Sequence, residues 1–147
     1  MIQLDIVAGA LVDAQGRVLI AQRPAGKELA GRWEFPGGKL HANEHARDGL
    51  VRELREELDV EVLGAESLIR YPYQYPDKMV WLDLWLVTSW RGELRGLDGQ
   101  ALRWVSIDEL AAVDLLEADR PMIAALVTRV GSQDGGASGR RGSSAPL

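Results

Sequence analysis

Residues 79–87, MVWLDLWLV, constrain the fold more than any other stretch of this chain. Val80, Leu82, Leu84 and Leu86 recur at every second position and make one apolar face, while Asp83 between Trp81 and Trp85 marks the other. That is a strand, and its apolar face needs a core to lie on. Other strands surround it in sequence. Ile2, Leu4, Ile6 and Ala8 alternate with Gln3, Asp5 and Val7; DAQG, Asp13 to Gly16, is a turn signal; and Arg17 to Arg23 reads as the returning strand. A loop punctuated by Pro24, Gly26 and Gly31 follows, then the short extended run WEFPGGKL, broken at Pro36-Gly37-Gly38. VEVLGAESLIRY reads as a strand interrupted by a glycine, Tyr75 to Lys78 as a turn, and ALRWV as a short strand.

The strands are interleaved with helices. Ala46, Leu50, Leu54 and Leu58 stand at i, i+4 spacing, a stripe that must face the core. Asn43 is the expected N-cap, with Glu44 in the first turn, and Gly49 inside this helix costs up to about 1 kcal/mol relative to alanine. SIDE, Ser106 to Glu109, has capping-box spacing, and Pro121 to Val130 reads as a final helix. From Gly131 the composition, GSQDGGASGRRGSSAPL, cannot supply a core, so a disordered tail is expected. The expectation is one mixed α/β domain over residues 1–130, with a tail over 131–147.

Composition removes several function classes. Cysteine is absent, which excludes disulfides and thiolate metal sites, and two histidines are too few for an ordinary zinc site. The N-terminus lacks a basic start and Asp5 interrupts its apolar run, so no signal peptide is read; no segment is long and apolar enough to span a bilayer. The expected location is the cytoplasm. A net charge of −5 without a basic stripe argues against a nucleic-acid polymer as partner. It leaves a nucleotide open, since divalent cations bridge carboxylates and phosphates.

Within the helix, Glu53, Glu56 and Glu57 stand at i, i+3 and i+4 and share one face, away from the apolar stripe. Their repulsion weakens the helix slightly, offset in part by Arg52 and Arg55. Taken alone they are either a wet face or a site. The bend at Pro36-Gly37-Gly38 shifts the balance, because glycines let carbonyls turn towards a ligand. Carboxylates with a backbone carbonyl suit Mg²⁺ or Mn²⁺, and a spare carboxylate can take a proton from water. That is equipment for metal-assisted hydrolysis of a phosphate ester or anhydride.

The run GKLHANEHARDGLVRELREELDV resembles the signature of the Nudix family, matching at Gly38, Glu44, Arg52, Glu53, Leu54, Glu56, Glu57 and Val60. One position departs, with Asp59 where the pattern has glycine. Further segments, WEFPGGK, YPDK, the Trp-rich strand, WRGELRG, GQ and EADRP, extend the resemblance over roughly residues 2–130, towards members that hydrolyse 8-oxo-dGTP. The resemblance implies an α/β/α sandwich with a mixed sheet, and hydrolysis of a nucleoside triphosphate to monophosphate and pyrophosphate with Mg²⁺ or Mn²⁺. It implies metal ligation by the Gly37 carbonyl, Glu53, Glu56, Glu57 and Asp98, with Glu53 as general base, though the glutamate taking the proton varies between relatives. Arg52 would orient the glutamates and Glu44 would hold the helix start. Arg23, Phe35, Gly38, Lys39, Lys78 and Asp119 would face the substrate. A monomer or weak dimer is expected.

Asp119 leaves the base open. The 8-oxo-dGTP hydrolases carry asparagine there, whose amide can donate and accept at one base edge. An ionised aspartate only accepts, which suits the amino group of cytosine, or the N1–H and 2-amino group of a turned guanine; protonated, it can also serve an oxidised guanine. Aspartate at this place also occurs in the relatives that hydrolyse CTP and oxidised pyrimidine triphosphates. As a plain alternative, Asp119 caps the helix near Pro121. Glu28 and Lys78 also depart from those relatives, which have His and Arg at these places. Two other classes are a Nudix-like binding module without catalysis, disfavoured by the complete Arg-Glu and Glu-Glu set, and a DNA-binding accessory domain, disfavoured by charge.

Overall fold

The computed structural model describes residues 2–134. β1 (Ile2–Leu11), β2 (Arg17–Gln22), β3 (Trp33–Glu34) and β4 (Gly37–Lys39) precede α1 (Ala46–Leu58); β5 (Glu61–Gln74), β6 (Lys78–Arg91) and β7 (Leu102–Ser106) precede α2 (Pro121–Asp134). The strands form a four-stranded sheet ordered β4-β1-β6-β5 and a three-stranded sheet ordered β3-β2-β7. β1 runs parallel to β6 and antiparallel to β4, so the larger sheet is mixed, as expected.

The alternation in β6 has a direct outcome. Val80, Leu82, Leu84 and Leu86 enter one core cluster with Ala8 and Ala10 of β1 and with Met122, Leu126 and Val130 of α2. Val7, Leu11 and Val87 point the opposite way and pack with Leu50, Leu54 and Leu58 of α1. A helix therefore covers each face of the sheet, giving the α/β/α layering. Leu50, Leu54 and Leu58 are fully buried, so truncating one to alanine costs about 2–5 kcal/mol.

Local signals were realised in most places. Asp13 closes the β1–β2 turn, accepting from the backbone N–H groups of Gln15 and Arg17 and from Arg17 Nε. Ser106 and Glu109 form the reciprocal capping box, though the segment they start, Ile107–Ala112, is a 3₁₀ helix. The helix start differs from expectation. Asn43 lies in a turn at φ 63°, and α1 begins at Ala46 with His45 as an extended N-cap that makes no side-chain cap bond. Glu44 precedes the helix, because its carboxylate is drawn to His41 N–H and Arg52. Gly49 is needed for packing, since a Cβ there would lie 2.2 Å from Leu40 Cδ2. α2 continues past the expected boundary at Gly131 as far as Asp134, and the rest of the proposed tail lies outside the described residues. Among the described residues no helix is long and apolar enough to cross a membrane.

Asp59 ends α1 in the left-handed conformation, φ 62° and ψ 35°. Asp59→Gly should stabilise the protein, by less than about 1 kcal/mol once the greater freedom of glycine in the unfolded chain is counted. The check is a urea midpoint that rises at constant m-value. A lower midpoint would mean that the exposed pair with Arg95, at 4.0 Å, outweighs the strain.

Candidate active site

Arg52, in the middle of α1, organises the acidic residues. Its Nε and Nη2 donate to the two oxygens of Glu44 at 2.8 and 2.9 Å, and Nη2 also donates to the Lys39 carbonyl at 3.0 Å. Nη1 reaches Glu53 at 2.9 Å and Glu56 at 3.2 Å. A guanidinium has five N–H groups, and these contacts occupy all of them. One side chain thus ties β4, the loop before α1 and α1 itself together. The bonds from Arg52, reinforced by His41 N–H, hold the Glu44 carboxyl down at about 2. Glu44 and then Glu53 in turn raise Arg52 further above its ordinary range.

Glu53 is only 13% exposed at its side chain, and its carboxyl group lies over Gly38. A Cβ at position 38 would come within 2.5 Å of that carboxyl, so glycine leaves the space that Glu53 fills. Glu57 lies alongside, accepting from Gly37 N–H at 3.3 Å. Burial, then the neighbouring charges of Glu53, Glu34 and Asp98, push its carboxyl up to about 8, against one lowering contact from Gly37 N–H. Asp98 is brought there by its loop: Leu97 N–H and the Gln100 amide donate to the Glu57 carbonyl at 3.0 and 3.2 Å. An unpaired C-terminal carbonyl of α1 thereby anchors the loop.

The three glutamates that share one face of α1 have different surroundings. Glu56 is 57% exposed and turned to Arg52, while Glu34, not singled out in the sequence, joins Glu53, Glu57 and Asp98. Among the described residues no three acidic or imidazole groups are gathered tightly enough to grip a cation as they stand. The donor set still fits a hard divalent cation in kind. It is all oxygen, and the Glu57 carboxyl is raised first by burial and then by neighbouring negative charge, the second of which a cation would offset.

Two residues before Gly37, Phe35 meets Asp119, which is buried and whose Oδ2 accepts from Phe35 N–H at 3.1 Å. Burial lifts its carboxyl to about 7, with Glu34 raising it further and Phe35 N–H and Arg23 opposing. Phe35 is 3% exposed and part of the core. Asp119 lies in the 3₁₀ turn Glu117–Asp119, just ahead of Pro121; its side chain accepts from Phe35 N–H and not from a helix N–H, so it does not act as the plain cap. Tyr71 and Tyr75, also missed from the sequence, both sense the Asp119 charge, and Tyr71 donates to the Ala118 carbonyl. Lys78 lies over the Tyr75 ring, 5.2 Å from its centroid. Arg23 donates to Glu34 at 3.0 Å and to the Glu28 carbonyl at 2.7 Å, and Lys39 is exposed on β4. Tyr71 was hidden because alternation along β5 reads equally well as core packing, and Tyr75 because it falls in the turn after that strand.

The family model described as the NUDIX domain matches residues 3–126. A CTP pyrophosphohydrolase of Escherichia coli K12 is 38% identical over 127 residues, 86% of this chain and 93% of that protein. An 8-oxo-dGTP diphosphatase of the same strain is 35% identical over 126 residues, 86% of this chain and 98% of that one. The solution structure of the E. coli ORF135 protein superposes with a TM-score of 0.80 at 35% identity, covering 90% of this chain and 94% of the other. Members of this group generally need divalent metal ions. With the arginine-held glutamates on α1, the glycine bend beneath them and a family match over nearly all of the described residues, the chain belongs to the Nudix hydrolase family.

Proposed function

We propose that the protein hydrolyses a nucleoside triphosphate to the monophosphate and pyrophosphate, with 8-oxoguanine as the preferred base. The observation that carries the reading is the half-buried Glu57, held by Gly37 N–H of the glycine bend and surrounded by the charges of Glu53, Glu34 and Asp98. The Gly37 carbonyl, Glu53, Glu56, Glu57 and Asp98 would hold Mg²⁺ or Mn²⁺. When bound, such a cation draws charge from phosphate oxygens and makes a water easier to deprotonate. Glu53 accepts the proton of the attacking water at one carboxylate oxygen, while Arg52 holds the other at 2.9 Å and so limits rotation of the group. Arg23 and Lys39 meet the phosphates, with Gly38 giving the chain room to pass close by. Phe35 and Lys78 border the base, which Asp119 reads. On this reading the substrate is a free nucleotide of the cytoplasm.

A carboxyl near pH 7 exists in both forms at neutrality. Protonated, Asp119 donates to a guanine carbonyl; ionised, it accepts from an amino group. The ionised form supports the second reading, CTP or dCTP as substrate, in line with the activity named for one relative. A pyrophosphate-release screen over ordinary and oxidised nucleotides, with Mg²⁺ and Mn²⁺, tests both. Absence of pyrophosphate with every nucleotide would sink the hydrolase reading.

Asp119→Asn is expected to move the rate ratio towards 8-oxo-dGTP and away from dCTP, by roughly tenfold or more, the worth of one buried hydrogen bond at a base edge. An unchanged ratio removes Asp119 as base reader. The substitution also has a stability signature. The ordinary carboxyl value is 3.8 and the folded value about 7, so between these the folded state holds a proton that the unfolded chain has lost. Stability from this group is thus greatest below pH 3.8 and declines as pH rises to about 7. That part of the pH dependence should be missing in Asp119→Asn.

A further inference from the structure

The segment Glu34 to Gly37 links Asp119 to the acidic residues of α1, and three of its residues each hold a different group. Gly37 N–H holds Glu57, Phe35 N–H holds Asp119, and Glu34 holds Arg23. Of the three, Glu34 alone does so with its side chain. Glu34 is paired to Ala21 in β2, two residues before Arg23, so the register of a two-residue strand sets their approach. The contact is sheltered, with side chains 23% and 27% exposed. Burial raises the Glu34 carboxyl, opposed by Arg23 and Lys27. Glu34 in turn acts on both Glu57 and Asp119, which places it between the acidic cluster and the base side. Arg23 also bonds the Glu28 carbonyl, so two of the five N–H groups of its guanidinium are held by protein oxygens.

We propose that Glu34 is a positioning residue for the nucleotide: it fixes Arg23 so that the remaining edge of the guanidinium is presented to the phosphates before substrate arrives. A long side chain that is already ordered loses less freedom on binding, which strengthens binding without touching the reacting atoms. The inference rests on Arg23 meeting the phosphates, and its test separates the two ideas. KM and kcat for pyrophosphate release, and the Mg²⁺ concentration for half-maximal rate, are measured for the parent enzyme, Glu34→Gln, Glu34→Asp, Arg23→Ala and the double variant Glu34→Gln/Arg23→Ala.

Glu34→Gln is expected to raise KM about three- to tenfold, with a smaller change in kcat and no change in Mg²⁺ dependence. Glu34→Asp should recover part of the loss. In the Arg23→Ala background Glu34→Gln should add nothing, because the group it positions is gone. If Arg23→Ala leaves KM unchanged, the phosphate role of Arg23 falls and the proposal with it. If Arg23→Ala raises KM but Glu34→Gln does not, Glu34 alone loses its role. A raised Mg²⁺ requirement at constant KM would assign Glu34 to the cation and overturn its role on Arg23. A loss of the same size with and without Arg23 would reduce it to a fold contact.

Discussion

Glu53→Gln should lower kcat by about 10²- to 10⁴-fold while leaving the fold intact. The side chain keeps its size over Gly38 and can still accept one bond from Arg52. What it loses is basicity, so the attacking water keeps its proton. Removal of the Glu53 charge relieves one of the causes that raise Glu57 and weakens the ion pair with Arg52, two opposed effects, so the variant should unfold close to the parent at neutral pH. Thermal unfolding with pyrophosphate release checks both statements together. Near-parental turnover would transfer the proton to another glutamate, Glu56 or Glu57. A collapse in melting temperature would show that the loss is structural.

Gly38→Ala carries the second large effect. Gly38 has no left-handed backbone, so alanine meets no conformational barrier there, but its Cβ would lie 2.5 Å from the Glu53 carboxyl group. The obstacle is the far end of a flexible side chain, so Glu53 moves and the backbone stays. Displacement of a catalytic group by about 1 Å costs on the order of 10²-fold in rate. Stability should change little, since displaced Glu53 moves towards solvent. The double variant Gly38→Ala/Glu53→Gln should be scarcely slower than Glu53→Gln alone, because both act through one carboxylate. Additive losses would place the effect of Gly38 on the substrate's own approach. Parental activity in Gly38→Ala would remove the idea that Glu53 works from above Gly38.

The spacing of apolar residues carried most of the architecture. A period of two along β6 and of four along α1 settles which side chains are buried, because water excludes them in any arrangement. The glutamate spacing on α1 put Glu53 and Glu57 near one another for the same local reason. Reading failed where a contact joins segments distant in sequence. Asn43 looked like a cap, yet Arg52 recruits Glu44 across eight positions and leaves the cap to His45. Glu34 looked like an ordinary strand residue until β2 brought Arg23 beside it.

By itself, then, the sequence determined the mixed α/β class, the helix with its arginine and glutamates, and the glycine bend before it, since all depend on periodicity and local backbone freedom; the layering came only with the family resemblance. Tertiary structure alone decided that Glu56 turns out to Arg52 while Glu34 and Asp98 act on Glu57, and that Asp119 is buried against Phe35 with a carboxyl near neutrality. Desolvation and charge coupling depend on what surrounds a group in space, and only the folded chain supplies those surroundings.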